Sequence, residues 1–146
     1  MRLSRPGAVL LSPLCKVLPV SFDPSDALSR LALPDTTVTQ LFRRARSAIV
    51  LTDPRAEDNP IIACNAAFLE LTGYDEDEVV GRNCRFLQGD GTDQGLAARI
   101  GACIYREQTG QFEILNYRKD GSAFWNALHV GPIYGEDGRV QYYFGS

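Results

Sequence analysis

Apolar residues recur in different rhythms along the 146 residues of this chain, and the changes of rhythm mark its parts. Residues 1–22 keep no sustained period and read as an N-terminal arm. Asp23-Pro24 starts a short helix through Ala32, closed before Pro34. Asp35 caps a second, in which Val38, Leu41, Phe42 and Ala45 fall at i, i+3, i+4 and i+7 on one apolar face. AIVLT (48–52) predicts a buried strand, DPRAEDNP (53–60) a turn-rich loop, and Ile61–Cys64 a second strand. Asn65 caps a helix that carries Phe68 and Leu71 and stops at Gly73; Asp75 caps a short one ending at Gly81. A longer helix is expected from Asp93 to Glu107, with Leu96, Ile100 and Ile104 in register. The final third changes period: QFEILNYR (111–118), AFWNALHV (123–130) and RVQYYF (139–144), separated by KDGS and GEDG, predict an antiparallel meander. The sum is an α+β fold, a five-stranded sheet with helices between strands two and three covering one face.

Alternation within the meander groups Phe112, Ile114 and Asn116 on one face, and Phe124, Asn126, Leu128 and Val130 on one face of the next strand. Each face is apolar except for one asparagine. A three-residue loop at Asp120–Ser122 pairs Lys119 with Ala123 and sets Asn116 opposite Asn126, whereas a two-residue loop breaks the match. A buried amide without a partner costs about 1–3 kcal/mol, so both side chains need one. Either they bond each other or a buried water, or they meet a planar heterocycle such as a flavin, pterin or purine.

Totals narrow the function. One domain accounts for the length, and a 45% hydrophobic share with 23% charged residues is that of an ordinary globule. No stretch approaches the roughly 20 apolar residues of a membrane span, and a net charge of −3 lacks the basic footprint of a nucleic-acid binder. Arg2, Arg5 and Lys16 flank an apolar run at Ala8–Leu11, but Pro13 and Pro19 interrupt it and disfavour a signal peptide. Cys15, Cys64, Cys84 and Cys103 contain no CxxC pair, so neither a zinc site nor any other metal is expected. Reduced thiols in a cytoplasmic protein fit best.

GRNCRFLQGDG (81–91) concentrates the remaining chemistry. Cys84 reads either as a small core residue or as a reactive thiol, but thiolate catalysis needs a base, and the lone His129 alternates to the face opposite Asn126. Arg85 suits a phosphate or a surface ion pair, with Gln88 on nearly the same side of one helical turn. Gly89 and Gly91 fit neither GxGxxG nor GxxxxGK.

Taken with TDPRAEDNPIIACNAAFLELTGY before it and ILNYRKDGSAFWN after it, GRNCRFLQG closely resembles the LOV family, the flavin-binding blue-light sensors of the PAS superfamily. The likeness runs from about Ala48 to Ser146. It divides the chain into an arm (1–22), a helical cap (23–46) and a LOV domain (47–146). The resemblance implies FMN, with riboflavin or FAD as alternatives, and makes Cys84 the photoactive thiol that adds reversibly to ring carbon 4a. Asn116 and Asn126 would hold the pyrimidine edge with Asn83 alongside the ring; Gln88 and Asn59 would meet the ribityl chain and Arg85 the phosphate. Thr52, Leu87, Ile100, Leu128 and Val130 would line the ring.

Two departures matter. Where the family carries a second phosphate-binding arginine, this chain has Gly101, and Arg99 lies about 200° around the helix, which implies weaker FMN retention or tolerance of riboflavin. The family's signalling glutamine would follow Ser146, so the chain as written is expected to form adduct yet transmit poorly to an effector beyond it, such as a histidine kinase or a DNA-binding domain. The module itself is expected not to be an enzyme. Competing readings are a PAS-type interaction module without flavin and a flavin oxidoreductase, the latter opposed by the lack of a nicotinamide motif. Partners expected are the flavin and a second copy docked through the N-terminal helices, with no direct nucleic-acid or membrane contact.

Overall fold

A computed structural model of the chain describes residues 37–146. The expected arm, the helix at 23–32 and the Asp35 cap lie outside the described residues. Helix α1 (Thr37–Arg44) closes on Arg43 and Arg44, whose charge suits the negative end of a helix. Phe42 packs on Leu51, Ile133 and Tyr142, while Leu41, one residue and about 100° away, stays 67% exposed. The apolar face anticipated there is therefore split between sheet and solvent.

Strands β1 (Val50–Thr52) and β2 (Ile61–Cys64) form an antiparallel pair. β1 starts later than expected because the Ile49 N–H donates to the Asn65 side chain at 2.9 Å. Asn65 also caps α2 (Ala66–Thr72), which Gly73 ends in the left-handed region at φ 75°. The short α3 (Glu76–Val79) opens with Glu78 accepting from the Asp75 N–H. A one-turn 3-10 helix (Cys84–Leu87) follows, then α4 (Gln94–Tyr105), β3 (Gly110–Tyr117), β4 (Ala123–Tyr134) and β5 (Val140–Gly145).

The five strands run in the order β2-β1-β5-β4-β3, with every pair antiparallel. Alternation sends Val50 inward, where it joins Ile61, Cys64, Phe68, Val79 and Leu87 in the core under α2, α3 and the 3-10 turn. Leu51 goes to the other face, beneath α1.

The β3–β4 register corrects the sequence reading. Its connection is a three-residue loop, but over Lys119–Gly121: the Arg118 N–H donates to Ser122 O at 2.9 Å and Gly121 takes φ 84°. Glycine accepts the left-handed position that closes such a loop, and this places the loop one residue earlier than Asp120–Ser122. Asn116 therefore pairs with Phe124, and Asn126 with Ile114. A two-residue shift preserves the face, so the asparagines remain neighbours on a diagonal.

Candidate functional site

Between the inner sheet face and the helices lies a cavity of about 800 Å³, well within the range of small-molecule sites. β3 and β4 bring Ile114, Asn116, Phe124, Asn126 and Leu128 to its wall; the 3-10 turn brings Cys84, Arg85 and Leu87, with Gln88 just after. Ile100 and Gly101 approach from α4, and Asp58 and Asn59 from the β1–β2 loop. Most of the residues expected at a ligand thus surround one space.

The amides sit on the sheet wall. Asn116 is 4% exposed, and its Oδ1 accepts from Asn126 Nδ2 at 3.0 Å. Asn59, in the left-handed region at φ 47°, holds a buried Oδ1 with no protein partner among the described residues. An orphaned acceptor on the wall of a large cavity suits a ligand with hydroxyl donors.

Cys84 faces these groups from the 3-10 turn. Burial pushes its thiol up to about 11, outweighing the opposite pull of Arg85. Near neutral pH the sulfur is protonated. His129 stacks edge-on with Phe144 at 5.1 Å, on the face away from the cavity. Among the described residues Cys64, Cys84 and Cys103 are all free thiols.

Three expected positions have other surroundings. Thr52 and Val130 are buried but do not reach the cavity wall. Val130 packs where β4 leaves β3 for β5, between Gly110 and Gly145, and Thr52 lies at a register shift against Ile61. Asn83 lines the cavity, but its amide is committed to backbone: Oδ1 accepts from the Arg85 N–H and Nδ2 donates to Asp58 O at 2.6 Å. It holds the loop to the turn. Arg85 itself pairs with Asp58 at 2.6 Å.

Tyr143 was missed. It is 3% exposed on the cavity wall and donates to Ile104 O at 2.6 Å. Alternation in RVQYYF carried the signal, because Tyr142 and Phe144 pack with the opposite cluster. Burial raises the Tyr143 phenol to about 12.

A PAS domain family model matches residues 46–146. The LOV domain of a blue-light-activated histidine kinase from Erythrobacter litoralis superposes with a TM-score of 0.67 at 41% identity, covering 70% of this chain and 94% of that one. This chain is a LOV domain of the PAS family. As a LOV domain it is a blue-light sensory domain, and its chromophore class is a flavin. It is 52% identical over 112 residues to blue-light-activated histidine kinase 1 of Erythrobacter litoralis, covering 74% of this chain and 31% of the relative. It is 53% identical over 105 residues to the blue-light-activated histidine kinase of Rhizobium johnstonii, covering 72% and 30%. This LOV domain spans under a third of those curated relatives. Their names correct the expectation that the module is not part of an enzyme family: these relatives are kinases, and the chain covers only their LOV portion.

Proposed function

We propose that this LOV domain holds FMN in the central cavity and that blue light drives a reversible bond between Cys84 and the flavin ring, switching a histidine kinase in the whole protein. One observation carries the reading: Cys84 lines the same cavity as the Asn116–Asn126 pair. Bound flavin supplies a planar ring that becomes an acceptor for sulfur when it absorbs blue light.

Each residue then has a task. Cys84 keeps its proton in the dark because burial disfavours thiolate, and a neutral thiol is a weak nucleophile toward an unexcited ring. On illumination the Cys84 side chain would give its sulfur and its proton to the excited flavin, and in darkness it would take both back. Asn116 and Asn126 exchange part of their mutual contact for the pyrimidine edge, each able to donate and accept. Asn59 Oδ1 and Gln88 take the ribityl hydroxyls, and Arg85 the phosphate. Leu87, Ile100 and Leu128 keep water from the ring. Asn83 positions Arg85 rather than touching the ring, since its amide is spent on backbone.

The amphipathic α1 and the helix expected before it supply a contact between two copies. Purified protein is expected to be yellow, to lose its blue absorption band under blue light and to regain it in darkness. Cys84→Ala is expected to keep the colour and fluorescence and to show no bleaching. A colourless protein that takes up no added flavin overturns the proposal.

A further inference from the structure

The phosphate end of the cavity is built against a second anion. Both carboxylate oxygens of Asp58 lie 2.6 Å from Arg85 Nη1. Isolated surface pairs contribute little because two long side chains must be ordered to form them. Here the backbone supplies much of that order. Asp58 and Asn59 occupy consecutive left-handed positions, φ 65° and 47°. Asn83 ties the Asp58 carbonyl, at 2.6 Å, to the turn whose Arg85 N–H it caps at 3.0 Å. One side chain thus ties together the backbones that carry the carboxylate and the guanidinium, which meet in a pair that stays 56% and 60% exposed.

No other cation on the wall offsets this pairing. Its charged residues, among those described, are Arg55, Asp58, Arg85 and Glu107, two of each sign. Arg55 is bonded through Nε and Nη2 to the two Asp53 oxygens at 2.9 Å each. Gly101 on α4 has open space where a side chain would extend.

We propose that Asp58 is a specificity-determining residue, which holds Arg85 against a ligand phosphate and thereby levels the affinities for phosphorylated and unphosphorylated flavin. The proposal rests on the flavin reading above and adds the preference within it. A phosphate monoester carries nearly two negative charges at pH 7, which Asp58 repels while competing for the same guanidinium. The ribityl alcohol of riboflavin carries no charge and loses nothing to that competition.

The test titrates FMN and riboflavin separately into apoprotein and reads flavin fluorescence. Asp58→Asn removes the charge, and Asp58→Gly removes the side chain; both residues tolerate the left-handed backbone. In each variant FMN affinity is expected to rise about fivefold, riboflavin affinity to stay unchanged, and FMN binding to become more salt-sensitive. An FMN to riboflavin ratio no higher than that of the native chain in both variants overturns the role of Asp58 while leaving the flavin reading intact. Failure of the native chain to bind either flavin sinks both.

Discussion

Cys84 and the asparagine pair show how far single residues can be read. Burial moves the Cys64 and Cys84 thiols up from 9.0 to about 11. The unfolded chain releases these protons near pH 9 and the folded chain holds them until about 11, so their contribution is complete below pH 9 and disappears as pH rises toward 11. Urea midpoints measured in darkness are expected to fall across that window, and to fall less in a Cys64→Ala, Cys84→Ala double variant. Asn126→Leu leaves the buried Asn116 Oδ1 without its donor and is expected to cost about 1–3 kcal/mol in the flavin-free protein, read from chemical unfolding. The asparagines were legible because they interrupt apolar rows on alternating strands. Asp58 was not: its importance lies in a contact with Arg85, 27 residues away, inside a loop without periodicity.

At the scale of elements, Asn65 joins three segments: α1, the connection into β1, and α2. Its Oδ1 accepts from Phe68 N and Ile49 N, and its Nδ2 donates to Ser47 O at 2.9 Å and Phe42 O at 3.2 Å. It is 1% exposed. Asn65→Ala is expected to cost about 2–4 kcal/mol, more than loss of a helix cap, because partly buried backbone groups of α1 and of the connection into β1 lose their partner with it. Circular dichroism during urea unfolding checks the value. The cap was visible in the sequence, an asparagine just before AAFLELTG; the bonds to residues 42–49 were not, since nothing local encodes them. Strand spacing was equally plain. The β3–β4 register needed one fact more, that Gly121 must be the residue closing the loop.

Across the molecule, periodicity supplied the five strands and their helices but not their order, because partners distant in sequence are chosen by shape. α1 lies on the sheet face opposite the cavity and leaves Leu41 largely exposed. Leu41→Glu is expected to shift the protein toward monomer in light scattering, with its absorption spectrum unchanged; an unaltered mass excludes α1 from self-association. The order β2-β1-β5-β4-β3 has a kinetic corollary. The strand in the middle is the last of the five in sequence, so β1–β2 and β3–β4 share no hydrogen-bonded neighbour until it is present. Translation must deliver Val140–Gly145 before a continuous sheet exists, and a chain stalled short of it presents two raw edges to chaperones and to other nascent copies.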